Sequence, residues 1–403
     1  MSVWRGGLAL GAIALAAAVS SGSRALGVVG VGFLLSSLLT WLWTWIAESP
    51  VTVTYGVHPI PATEGDCVRI AIEVSRRSRF LLGSMAVTAA IGRVGKRTCQ
   101  LHVRGRTARG ELDLGPMPRG VFPISGTEVM LGDLLGLVSL SPAVSCEPAR
   151  VVVRPRLIEL DGLFSEAGRA GGDGRRLLLR RSAGFDFHSV REYEQGESLR
   201  RVHWPTSARR GRLMVKELED RAYDGVVVIL DCDPRGAVGE PPESSFDVAV
   251  RAAGSILQAH ATRGRPATFV STGRERAVVP VRSAADDLGG AVTALAAAEP
   301  DALHGLARFL ASDNPSVAGG GEVVVVTATL DSAAFAAVLA LAGRRVVSVV
   351  WVDAASFAAR PTRAEPGVLR LAAHGLSTAV VRRGDDLADE LSARRLVEAV
   401  GRA

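Results

Sequence analysis

Asp231 and Asp233 stand two residues apart at the end of a wholly apolar run, Gly225-Val-Val-Val-Ile-Leu-Asp231. Carboxylates so placed offer oxygen ligands to a hard cation, or acid–base groups beside an anionic substrate. Arg235 follows two residues later. A guanidinium there would repel a cation, and the same carboxylates then read as a helix cap or as its ion-pair partners. A second constellation comprises Arg191, Tyr193, Gly196, Glu197, Arg200, Trp204, Ser207 and Arg209. Guanidinium forks grip carboxylates or phosphates bidentately, whereas the large apolar faces of Tyr193 and Trp204 favour burial. The segment therefore reads as a partner-binding surface, or as an interdomain clasp whose arginines pair with Glu192, Glu194 or Glu197.

Other catalytic patterns are missing. The seven histidines are scattered, with His188 and His203 beside the arginine segment, and no H-E-x-x-H or nucleophile elbow accompanies them. Gly319-Gly320-Gly321 precedes an apolar run rather than following one, and no G-K-[ST] occurs, so no phosphate loop is expected. Cys67, Cys99, Cys146 and Cys232 show neither C-x-x-C nor zinc-ligand spacing. Free thiols suit a reducing compartment, with a bridge from Cys67 to Cys99 or Cys146 as the alternative. No cofactor is expected.

Charge is uneven. From Arg169 to Lys216 there are twelve basic and five acidic residues, a net of +7 against +6 for the whole chain. Such a patch suits an anionic partner. All basic residues but Lys96 and Lys216 are arginine, and aromatic interleaving is limited to Tyr193 and Trp204, so nucleic acid is not the expected partner.

The elements that must position these residues follow from periodicity. Gly6 to Ser23 and Ala25 to Ala47 carry no charge, and the second stretch is long enough to cross a hydrocarbon core of roughly 30 Å. Trp4, Trp41, Trp43 and Trp45 lie where an interfacial aromatic belt would be. A transmembrane helical hairpin is expected over 1–48, with a cleaved signal peptide as the alternative for the first stretch. The soluble body is placed in the cytoplasm. Residues 49–156 alternate apolar and polar positions with frequent Gly and Pro, which predicts an all-β sandwich. Residues 157–224 form a linker carrying the arginine motif, with Glu159 to Arg181 loop-like and mobile. From 225 to 403, continuous apolar strands alternate with helices, which predicts an α/β domain with a mostly parallel sheet. Asp231, Thr327 and Asp353 fall at the carboxyl ends of its strands, where such sheets bind ligands.

The stretch Arg191-Glu-Tyr193-Glu-Gln-Gly196-Glu197-Ser-Leu-Arg200-Arg-Val202-His-Trp204-Pro-Thr-Ser207-Ala208-Arg209 resembles the signature of the domain-of-unknown-function-58 (DUF58) family. That signature reads R-x-Y-x-x-G-D-x-x-R-x-I-x-W, then S-A-R. Glu197 stands for the usual Asp and Val202 for the usual Ile. The resemblance implies an Ig-like β-sandwich followed by a von Willebrand A-like (Rossmann-type) domain. It implies a non-enzymatic membrane scaffold or adaptor that binds protein partners. The partner implied is a MoxR-type AAA+ ATPase, with a transglutaminase-like membrane protein as a further associate, in assembly or maturation of other proteins. In von Willebrand A-like domains the first strand is followed by D-x-S-x-S. Here Asp233 and Arg235 replace the two serines, so a degenerate site without metal is expected at Asp231 and Asp233. The rival reading is a hydrolase or nuclease-like enzyme that uses those aspartates and the arginine segment on an anionic substrate.

Overall fold

A computed structural model describes residues 3–77, 83–133, 138–160, 162–165, 187–192, 204–218, 225–282, 287–312, 321–358 and 367–392. The chain divides into two compact units, Met1–Arg154 and Pro155–Ala403.

The first unit opens with helix α1 (Val3–Ser21) and helix α2 (Arg24–Ala47). Gly22, at φ +62°, turns the chain between them, a conformation that costs glycine little. The helices pack antiparallel: Gly11 meets Leu34 and Gly30, while Gly27 faces Ala18. Small residues let helix backbones approach closely. The expected pair of helices is present, but they differ as spans. Among the described residues α2 is the helix long and apolar enough to cross a membrane, with mean hydropathy 2.0; the apolar part of α1, Arg5–Ser21, is shorter. Trp41 and Trp45 are exposed near the end of α2, whereas Trp43 and Ala47 pack on the β-domain core.

The β-domain comprises β1 (Val51–His58), β2 (Ala62–Thr63), β3 (Cys67–Ser75), β4 (Ser84–Ile91), β5 (Gly95–Arg104), β6 (Thr107–Pro116), β7 (Gly120–Gly132), β8 (Ser139–Leu140), β9 (Val144–Cys146) and β10 (Ala149–Arg154). Alternation places Val68, Ile70, Ile72 and Val74 of β3 inward, as period 2 requires. The strands join in one hydrogen-bonded path, β2-β10-β7-β4-β5-β6-β3-β1-β9, with β8 on β7. A sandwich has two facing sheets, and one strand joins the two halves of this path. That strand is β5, whose Gly95–Leu101 pairs with β4 and whose His102–Arg104 pairs with β6. Pairing is antiparallel except for β1/β9 and β10/β2.

The second unit carries a ribbon of β11 (Phe187–Glu192) and β12 (Met214–Leu218), with helix α3 (Trp204–Arg210) between them in sequence. Its main sheet contains β13 (Val226–Leu230), β14 (Ala267–Ser271), β15 (Val278–Val281), β16 (Glu322–Thr327), β17 (Val346–Val352) and β18 (Ser377–Val381), in the order β15-β14-β13-β16-β17-β18. Only the β15 edge is antiparallel. The helices are α4 (Ser245–Thr262), α5 (Leu288–Ala297), α6 (Leu306–Ala311), α7 (Ser332–Ala342), α8 (Ala354–Phe357), α9 (Gly367–Ala373) and α10 (Leu387–Leu391).

All five residues of β13 and all six of β16 are buried, as a sheet covered on both faces demands. Val226, Val228 and Leu230 pack with α4, while Val227 and Ile229 pack with α7. The helices after the adjacent strands β13 and β16 thus lie on opposite faces, which opens a crevice at their carboxyl ends. Helix α4 begins with a capping box, in which Ser244 Oγ accepts from the Asp247 N–H and Asp247 from that of Ser244.

One correction concerns the expected linker. Leu163 and Phe164 are buried in the α/β core, and the Ile158 N–H donates to Ser255 Oγ at 3.0 Å. Gly254 lets Leu157 close onto α4. The start of the stretch expected to be mobile is therefore fastened to the domain, because Leu163 and Phe164, with Leu157 and Ile158 just before the stretch, have a helix face to cover. Residues 166–186 lie outside the described residues.

Candidate functional site at the carboxyl ends of the α/β sheet

Asp231, the residue after β13, is 4% exposed and tied to three strand ends. Its Oδ2 accepts from Thr327 Oγ1 at 2.7 Å and from Thr329 Oγ1 at 2.9 Å. Its Oδ1 accepts from Thr272 Oγ1 at 3.4 Å and from the Asp233 N–H at 3.3 Å. Thr272 Oγ1 also accepts from the Cys232 N–H at 2.9 Å. Burial pushes the Asp231 carboxyl above its usual range, against the hydroxyl hydrogen bonds and together with the nearby Asp233 charge.

Asp233 is held by Arg235. The guanidinium places Nη2 2.7 Å from Asp233 Oδ2 and Nε 3.1 Å from Oδ1. The same Nη2 lies 3.1 Å from Asp331 Oδ2, while Asp331 Oδ1 caps α7 through the Ala334 N–H at 2.9 Å. Burial alone would raise Asp233, but hydrogen bonds and charge from Arg235 bring it below the usual carboxylate range. Asp331 is lowered first by the Ala334 N–H and then by Arg235. Between these carboxylates burial pushes the Cys232 thiol up to about 12, reinforced by the Asp231 charge.

This donor set does not fit a divalent cation. The positive charge between Asp233 and Asp331 is already a guanidinium, which a metal would have to displace, and both oxygens of Asp231 accept protein hydrogen bonds. Nor does it fit covalent catalysis by Cys232, since a thiol so raised is protonated at neutral pH.

Of the three expected strand-end residues, Asp231 and Thr327 meet. Asp353 lies away from them in the bonding pattern, with Oδ2 3.5 Å from Arg382 Nε beyond β18. Thr272, Thr329 and Asp331 were not foreseen. Their signals were present: Thr272 directly follows the strand-like stretch Ala267–Ser271, and Asp331 precedes a helical stretch as an N-cap residue does.

In the arginine segment, Arg191 and Glu192 sit on β11 opposite Val215 and Met214. Tyr193, Gly196, Glu197 and Arg200 lie outside the described residues. Trp204 opens α3 and is 63% exposed. Ser207 is buried instead, and its Oγ accepts from the Met214 N–H at 2.8 Å. An approach at hydrogen-bond distance admits a hydroxymethyl group but not an indole. Arg209 is exposed on the same helix.

Comparison with known proteins places these features in company. The chain is 25% identical over 215 residues to the uncharacterized protein YeaD of Bacillus subtilis (strain 168), covering 53% of this chain and 52% of the relative. It thus spans about half the length of the curated relative it matches. Among solved structures, the conserved hypothetical protein BatB from Bacteroides thetaiotaomicron is similar at a TM-score of 0.31 and 14% identity, over 44% of this chain and 97% of that one. A von Willebrand factor type A protein from Catenulispora acidiphila is similar at 0.28 and 14% identity, over 44% of this chain and 41% of that one. An aerotolerance-related membrane protein from Bacteroides fragilis NCTC 9343, with multiple mutations to serines, is similar at 0.28 and 13% identity, over 44% and 99%. At such TM-scores these are distant likenesses. Residues 189–358, from within β11 to just past α8, match the family model described as Protein of unknown function DUF58, the family whose signature the Arg191-to-Arg209 pattern resembles.

Proposed function

We propose that this protein is a non-enzymatic, membrane-anchored scaffold or adaptor whose von Willebrand A-like α/β domain binds protein partners. The observation that carries this reading is the state of the crevice. Its carboxylates are committed to Thr327, Thr329, Thr272 and Arg235, and its thiol is protonated. A charged strand-end site that offers, among the described residues, neither an activated nucleophile nor a free base suits recognition rather than bond cleavage. The rival hydrolase reading needs Asp233 free, and Arg235 occupies it.

In this reading α2 anchors the chain, α1 completes a two-pass hairpin beside it, and the β-domain is an immunoglobulin-like sandwich carrying the body on the cytoplasmic side. The partner is a MoxR-type AAA+ ATPase, as the family resemblance implies, with a transglutaminase-like membrane protein as a further associate. The test is capture of a co-expressed ATPase of that type by the full chain purified from membranes. Stoichiometric co-purification, lost when residues 225–403 are replaced by an unrelated domain, supports the proposal. Absence of capture in the presence or absence of ATP overturns the partner, and turnover of a phosphodiester or peptide substrate that is lost in Asp231→Asn overturns the non-enzymatic reading.

A further inference from the structure

Next to the Asp231 hub, where β14 leaves the sheet, lies a groove of about 330 Å³. Its polar walls are Arg274 and Arg276, from the β14–β15 turn, His304, just before α6, and Arg308, within it. Leu303 and Phe309 supply an apolar floor, and Leu303 is 64% exposed. The three guanidinium groups are exposed, and among the described residues none is paired with a carboxylate. Of the nearby acids, Asp301 accepts the Arg274 backbone N–H at 3.0 Å, Asp233 and Asp331 hold Arg235, and Glu275 is not in the lining. Arg276 lies over the Phe309 ring, 5.4 Å from its centroid, a stacking that pre-orients its fork.

A cluster of planar donors, unpaired among the described residues, around an exposed leucine is complementary to alternating carboxylates and apolar side chains. A single small anion would leave the apolar floor unused. We propose that this groove docks an acidic peptide segment of a protein partner, its carboxylates received by Arg274, Arg276 and Arg308 and an apolar side chain lying on Leu303 and Phe309. The inference rests on the adaptor reading above and gives it a surface.

The experiment uses the full chain in detergent and a fluorescein-labelled ten-residue peptide of alternating Glu and Leu. Fluorescence anisotropy should show saturable binding that weakens as salt rises. Arg276→Ala and Arg308→Ala should each weaken it by about three- to tenfold, and the triple charge reversal R274E/R276E/R308E should abolish it. Arg344→Glu, an exposed arginine outside the groove, should bind as the parent does. Thermal melts confirm that the variants are folded, and the single alanine changes stand if the triple variant is not. Failure of the parent to bind, or equal binding by the triple variant, overturns the groove. Stronger competition by inorganic pyrophosphate or a single-stranded oligonucleotide than by unlabelled peptide overturns the choice of a peptide. Capture of the ATPase in the same preparations separates the two ideas. If capture by the triple variant matches that of the parent, the groove is not the partner surface while the adaptor reading stands; if the parent captures nothing, the adaptor reading itself falls.

Discussion

The guanidinium of Arg235 reaches Asp331, ninety-six residues further along the chain, with Nη2 3.1 Å from Oδ2. It joins the loop after β13 to the N-cap of α7 across the point where the helices change faces. That contact stands where a cation-binding reading of the strand end would need oxygen ligands, and it makes the crevice sensitive to acid.

Asp233 and Asp331 are both held below the ordinary carboxylate range. A depressed folded-state value contributes stability above the unfolded value, near 4, and loses it as pH falls through the folded value. The acid limb of stability below about pH 4 should therefore be shallower in Arg235→Ala than in the parent. The Arg235 side chain is 62% exposed but that of Asp233 only 6%, so loss of Arg235 at neutral pH leaves a nearly buried carboxylate without its partner and should cost about 1–3 kcal/mol. Melting temperatures from pH 2 to pH 7 check this; superimposable acid limbs would show that the bridge is not coupled to folding.

In the arginine segment the structure exposes a large residue and buries a small one. Trp204→Ala should change stability by about 0.5 kcal/mol or less, as exposed positions do. Ser207→Ala leaves the buried Met214 N–H without its acceptor and should cost about 1–3 kcal/mol. Denaturant titration of the two variants decides, and a larger loss for Trp204→Ala would contradict the geometry.

The thiols should separate by burial. Cys67 and Cys146 are exposed, while Cys99 and Cys232 are buried. Iodoacetamide at pH 8 should label the first pair in the native chain, and peptide mapping should find Cys232 unmodified until the protein is unfolded. Native labelling of Cys232 at the rate of Cys67 would refute its burial.

The helical hairpin should depend on glycine. A Cβ on Gly30 would lie 3.0 Å from the Leu15 backbone nitrogen and 3.2 Å from the Gly11 carbonyl oxygen. Gly30→Leu should therefore push the helices apart. A disulfide engineered through Ala18→Cys and Gly27→Cys, which face each other across the pair, should form in the parent background and fail when Gly30→Leu is added. Equal yields would mean that the close packing is absent.

The sequence by itself determined the elements that local periodicity encodes. The runs Val226–Leu230 and Glu322–Thr327 read as buried strands and are buried throughout. The stretch Ser332–Ala342 reads as a helix and forms one with these bounds. The DUF58 signature was likewise legible, since it depends on residue identities at fixed spacing. Helix α6 was missed because Leu306–Ala311 is too short for its period to stand out, and it carries Arg308 to the groove. What only the tertiary structure decided is which groups meet. The chain runs outward through β14 and β15, then crosses back to lay β16 beside β13. That crossover sets Thr327 against Asp231 and Asp331 within reach of Arg235. The antiparallel edge at β15, the burial of Ser207 and the fastening of Leu163 and Phe164 are of the same kind. Apolar periodicity fixes which side of an element is dry; a hydrogen bond or ion pair between distant residues depends on strand order, which no local pattern carries.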